Sequence, residues 1–334
     1  MAKNRILLVL EIVLLLVCIS SLVSCGSSRA SSPATPAATA PHRLDTGPLG
    51  LPLYCPQYIT HDQQGNIYVG DNYVVYVGKA TPHARIAKLS PTGQLLGKWH
   101  VFTSFPQNGP SGPFGLAVDA QGIIYVADAG DNTIKELSPT GQLLATWGKT
   151  GSAPGELSWP QGVALDPQGN IYVADFNNSR IQKFSSTGTL LAVFGNTGSS
   201  IERLRNPVGI AIDTQGNLYV SDIRHHRIVK FSPQGKFLLA WYGAGSKSFS
   251  SAKDVAVDSE GNVYTADSLT HRILKFSPTG KVLAIWERPM DGNNGITVDL
   301  QGNIYYVGYS HVAPSGIRKL SPGGVLLSSW PATC

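Results

Sequence analysis

The sequence predicts an all-β fold, a six-bladed β-propeller with four antiparallel strands per blade, and three observations carry that prediction. One unit recurs six times. Its turn glycines Gly65, Gly122, Gly169, Gly216, Gly261 and Gly302 lie 41 to 57 residues apart, close to the roughly 40–45-residue period of a propeller blade. Each unit holds four short runs rich in Ile, Val, Leu and Tyr, separated by turn residues, as four strands would be. The last run of each unit ends in a large aromatic residue: Trp99, Trp147, Phe194, Trp241, Trp286 and Trp330.

We label the strands of a unit a to d. Between a and b lies Asp-x-x-Gly, from Asp62, Asp119, Asp166, Asp213, Asp258 and Asp299. The Asp side chain can accept nearby backbone N–H groups, and the Gly takes positive φ, so this is turn chemistry. Strand b carries Tyr68, Tyr125, Tyr172, Tyr219, Tyr264 or Tyr305. Between c and d, Ser-Pro-x-Gly recurs from Ser90, Ser138, Ser232, Ser277 and Ser321, with Ser185-Ser-Thr-Gly188 in the third unit. Recurrent apolar and aromatic residues at strand period are expected to pack the core. Asp175 ends strand b and Arg180 opens strand c. Asp222/Arg227 and Asp267/Arg272 repeat that spacing, which reads as cross-strand ion pairing. Unit two has Asp128 but Thr133 and does not fit the pattern.

Pro160-x-Gly-Val-Ala-Leu-Asp166, the Ile-Tyr-Val-Ala-Asp runs ending at Asp128 and Asp175, and the Asp-x4-Arg-Ile spacing together resemble the NHL repeat family of six-bladed propellers. The resemblance covers residues 56–330. It implies the fold and says little about activity, because the family holds sensor domains, RNA- and protein-binding modules and a few enzymes.

The N-terminal segment reads as a signal. Lys3 and Arg5 precede an apolar stretch from Ile6 to Ile19, and Leu22-Val23-Ser24-Cys25 looks like a bacterial lipobox. The expected organisation is a lipoprotein signal peptide over 1–24, with Cys25 lipidated, a disordered Ser/Ala/Pro linker over 25–45 and the propeller over 46–334. An uncleaved membrane anchor is the alternative. The linker composition cannot bury a core. The formal net charge is +5; losing Lys3, Arg5 and Glu11 leaves it mildly positive, and no Lys/Arg run points to nucleic acid. The expected location is the bacterial cell envelope, extracytoplasmic, as a monomer meeting the membrane only through its lipid.

Cys55 lies just before the first strand and Cys334 is the last residue. In a closed ring these positions are neighbours. Three strand steps of ~4.8 Å make ~14 Å, and four extended residues reach ~13 Å. A Cys55–Cys334 disulfide would then clasp the ring, and export permits oxidation. Closing so long a loop is worth roughly 4–5 kcal/mol on the chain-entropy model. Two free thiols are the alternative.

Strands alternate in direction, so the a–b and c–d turns share one face of the disc. The b–c loops and d-to-a linkers share the other. The first face is uniform. On the second, the step from strand b to strand c is 5 residues in units two to five, 14 in unit one (Asp71 to Arg85) and 8 in unit six (Gly308 to Gly316). Units one and six are adjacent in the ring, so loops at 72–84 and 309–315 should form a ridge there, and binding residues usually ride on such loops. At the first inner-strand position Gly115, Gly162, Gly209 and Gly295 recur, whereas Tyr58 and Asp254 replace them. His83, His100, His225, His226, His271 and His311 fall on the same face and could bind a metal, although no His-x-x-His spacing occurs. The candidate ligand-binding residues are therefore Tyr58, Asp254, Arg224, His225, Tyr309, His311 and His83, with no catalytic residue or cofactor assigned. The expected function is a binding or scaffold module for an envelope or extracellular protein, peptide or glycan. A metal-dependent propeller enzyme, a lyase or lactonase-like hydrolase, is the alternative; too few carboxylates converge to name an acid and a base.

Overall fold

The computed structural model describes residues 53, 55–77, 79–100, 113–244, 247–287, 292–309 and 315–332. Six four-stranded antiparallel sheets, each made of four consecutive strands, form the blades. The inner strands are Pro56–His61, Pro113–Val118, Pro160–Leu165, Pro207–Ile212, Ala252–Val257 and Gly292–Val298. Each inner strand contacts the next, and the sixth contacts the first, so the ring is closed around an axial channel.

Strand b lies between neighbours within its blade and under both flanking blades. That is why runs such as Ile171–Asp175 are buried at every position. Outer strands such as Leu95–Trp99 are less covered and alternate between exposed and partly buried positions. The aromatic ending each outer strand packs beneath the c–d turn of the following blade. A Cβ at Gly141 would overlap Trp99, one at Gly188 would overlap Trp147, and one at Gly93 would overlap Trp330 across the last seam. These glycines have φ of +82°, +78° and +88°, so both the conformation and the missing side chain are needed.

The sixth seam is closed without exchanging a strand between the ends of the chain. A shared cluster does the work instead. Leu53, Ile59 and Val69 of the first blade and its lead-in pack with Tyr305, Val307, Ile317 and Trp330 of the sixth.

The uniform face is held by one repeated device. Asp166 accepts N–H groups from Gln168 and Asn170 at 3.0 and 2.9 Å and the Tyr172 hydroxyl at 3.4 Å. Lys183 sits 3.0 Å from Asp166 and 4.9 Å from the Tyr172 ring centroid. Hydrogen bonds to Asn170 and the Lys183 charge hold the Asp166 carboxyl below its usual range despite its burial. Blade two departs: Glu136 stands opposite Tyr125 where other blades have Lys. Burial, with Asp119 beside it, raises the Glu136 carboxyl, and the Tyr125 phenol is pushed up to about 12.

Two expectations on the irregular face are corrected. Residues 72–84 are not a loop. Strands Ile67–Val77 and Lys79–Leu89 run on as an extended hairpin, with Tyr73 opposite His83 and Val77 opposite Lys79, because Val- and Tyr-rich sequence continues the ladder. And blade two does pair its aspartate: Lys135, two residues beyond Thr133 and on the same side of the strand, binds Asp128 and lies 2.7 Å from Asp131. The expected signal segment, the linker up to residue 45, Cys25, His311 and Cys334 lie outside the described residues.

Candidate functional site at the channel mouth

The aspartates that end strand b are tied down completely. Asp175 is fully buried, 2.7 Å from Arg180, and accepts the Ser158 N–H at 2.7 Å. Arg180 spends its other donors on the carbonyls of Ser152, Ala153 and Glu156. The pair therefore staples the incoming d-to-a linker to the blade. Asp71/Arg85, Asp222/Arg227 and Asp267/Arg272 are paired likewise. They serve as scaffold, as their recurrence suggested.

His225 belongs to the same set. Its Nδ1 lies 2.8 Å from Asp222. His226 and His271 sit at φ of +52° and +54°, making the left-handed turn before the arginine. Arg224 is exposed on the b–c turn of blade four and does not line the channel. For His83 and Tyr309 the backbone is placed, in the extended hairpin and at the end of Ile304–Tyr309, and their side chains lie outside the described ones. Among the described residues, no three His, Cys, Asp or Glu side chains come together as a metal cluster.

The axial channel has a volume of about 260 Å³. Asp62 donates its backbone N–H to the Asn66 carbonyl. Hydrogen-bonded pairs alternate along an antiparallel ladder, so the backbone groups of Ile59 and His61 turn away from strand b, toward the axis. The same register holds around the ring. Side chains then make the walls unequal. Every blade contributes aliphatic residues such as Leu116, Val163 and Val255, and blades five, six and one add Asp254, Thr297, Tyr58, Thr60 and His61.

Tyr58 and Asp254 are brought together at the channel mouth. The four glycines at their register position let inner strands approach closely: a Cβ at Gly209 would press on Asp254, and one at Gly295 on the backbone of Tyr58. The Tyr58 hydroxyl donates to Gln161 Oε1 at 2.9 Å, two blades away, so the ring lies across the opening. The Asp254 carboxylate accepts N–H groups from Val255 at 2.9 Å and from Ile296 of the next blade at 3.0 Å. Burial outweighs these two bonds and pushes its carboxyl up to about 7. Burial, with the Asp254 charge added, raises the Tyr58 phenol. At the opposite end His61 Nδ1 lies 2.8 Å from Thr297 Oγ1, and burial lowers its imidazole.

Three residues of this mouth were not singled out from the sequence. Phe114 packs edge-on to Tyr58 with centroids 5.7 Å apart, and Trp159 packs on Phe114 at 6.0 Å. Gln161, 5 % exposed, anchors Tyr58. Trp159 has φ +55°, a costly conformation for a bulky side chain, held by its N–H donating to Asn132 Oδ1 at 2.6 Å. It is the one tryptophan outside the strand-d position, and that exception to the repeat is the sequence signal that marks it.

Comparison with known proteins agrees on the architecture. The NHL repeat model matches residues 157–184, 204–231 and 249–276, and a β-propeller repeat model matches 294–314. The chain carries NHL repeats on a six-bladed propeller. No curated protein matches. Among solved structures, one described as a streptogramin B lyase is 17 % identical with a TM-score of 0.59, covering 86 % of each chain. An inactive virginiamycin B lyase from Staphylococcus aureus, bound to quinupristin, is 15 % identical with a TM-score of 0.56, over 83 % of this chain and 84 % of that one. A Bacteroides caccae protein of unknown function is 16 % identical with a TM-score of 0.54, over 79 % and 93 %. At these identities the likeness is one of fold.

Proposed function

We propose that this chain is an exported, lipid-anchored binding module that offers the irregular face of its propeller to an envelope or extracellular protein, peptide or glycan. One observation carries the reading. The scaffold residues satisfy one another blade after blade, while Tyr58, Phe114 and Trp159 form a continuous aromatic strip beside the channel mouth, at positions where the other blades carry different residues. Trp159 holds a left-handed backbone there, as Asn206 does at the same register of blade four. Aromatic residues supply large contact area and are enriched where binding energy is concentrated. The extended hairpin rises from the same face. The module acts as a monomer, with no nucleic acid partner, and is clasped at its seam by Cys55–Cys334. That Cys55 is disulfide-bonded supports the clasp.

The test is co-sedimentation of the full chain with native envelope fractions. Trp159→Ala should weaken capture at least about tenfold, an effect of about 1.4 kcal/mol, with little change in melting temperature. Unchanged capture would remove the aromatic strip from the site. Cys25→Ala should abolish lipid incorporation and release the chain from the membrane; retention of that variant would favour the uncleaved anchor.

A second reading, an enzyme, is favoured by Asp254, a carboxyl pushed up to about 7 in the axial channel, as acid–base groups often are. The lyases of similar fold lend it a chemical class. A stoichiometric metal in the purified protein, lost on changing His225 and His311, would support the metal-dependent form.

A further inference from the structure

Asp254 stands apart from the ion-paired aspartates of this propeller. Asp71, Asp128, Asp175, Asp222 and Asp267 each contact an Arg or Lys, and the turn aspartates Asp62, Asp166, Asp213 and Asp258 each have a Lys within 4.0 Å. Asp254 accepts two backbone N–H groups and has no cationic partner among the described residues. It lines the axial channel, and the Tyr58 ring lies close by. An ionised carboxylate moved out of water needs compensation, and this one lacks the counter-charge that the strand-end aspartates have.

We propose that the channel mouth is a binding site for a small organic ammonium compound, its cationic head against Asp254 and the Tyr58 ring and its body in the channel. Carboxylate and aromatic ring are both complementary to an ammonium group, the ring through its quadrupole. The volume of about 260 Å³ holds about nine waters at ~30 Å³ each, or an organic cation of comparable size. Tyr58 borders both sites, so the two are told apart at Asp254, whose loss should leave envelope capture intact, and at Trp159, whose loss should leave amine binding intact.

The experiment is titration calorimetry of the detergent-solubilised full chain with 2-phenylethylammonium at pH 8, where Asp254 is ionised and Tyr58 remains neutral. Saturable one-to-one binding is expected. Asp254→Asn should weaken it at least about tenfold, and phenylacetate, of similar shape and opposite charge, should not bind. Equal binding by Asp254→Asn, binding of phenylacetate as tight as that of the amine, or no heat with the amine would each overturn the proposal. The phenylacetate arm uses the unaltered chain and stands even if the variant misfolds.

Discussion

The two faces of the disc are made from the same strands and differ in how far their charges are settled. On the uniform face, the turn aspartate, strand-b tyrosine and strand-c lysine satisfy one another in blades one, three, four and five. On the irregular face the strand-end aspartates are equally settled, yet at the channel mouth Asp254 is a partly buried carboxylate with no cation among the described residues. Most of the carboxylates that line the blades have a cationic partner, and Asp254 has none among the described residues. The difference teaches where stability has been given up, and sites that bind or react are where proteins give it up.

The largest expected effect tests the settled half of that comparison. Arg180→Ala leaves Asp175 buried without its cation and removes the Arg180 bonds to three linker carbonyls. Removing one partner of such a pair costs about 3–5 kcal/mol, read as a lower denaturant midpoint. A loss below about 1 kcal/mol, the range of a surface pair, would mean the pair is not the staple described.

A smaller effect tests the seams. Gly141→Ala combines a left-handed backbone with overlap against Trp99, so a loss of roughly 2–4 kcal/mol is expected. Gly155→Ala shares the positive φ but meets open space; its cost should stay near the conformational part alone, about 1 kcal/mol. Equal losses at both positions would deny that the outer-strand aromatics lock blade to blade.

Most of the fold was legible because a sixfold repeat supplies its own alignment. Turn glycines, Tyr and Trp positions and strand direction all follow from it, and so did the departure of Tyr58 and Asp254 from a glycine position. The rest depends on what lies across the ring. Phe114 gains meaning only from neighbours on other blades. Trp159 precedes a proline, where an extended backbone is the ordinary expectation, so its left-handed conformation was not readable. Lys135 replaced an arginine from two residues further along the strand, on the same side. The length of the 72–84 insertion gave its place but not its form, although its Val- and Tyr-rich sequence favours strand.

The effect that depends most on conditions bears most directly on the central claim, that Asp254 is an uncompensated charge kept for function. Its carboxyl is pushed up to about 7 in the folded chain, above its unfolded value near 4. The folded state therefore holds the proton more tightly, and the stabilisation that protonation brings is full below pH 4 and is lost as pH rises toward 7. The limit is about 1.4 kcal/mol per pH unit, reduced by whatever water the channel admits. The measurement is the unfolding free energy of Asp254→Asn minus that of the parent chain, from pH 4 to pH 8. The account predicts a difference near zero at pH 4 that grows in favour of Asn and levels off above pH 7. A parent chain as stable as Asp254→Asn at pH 8 would contradict it.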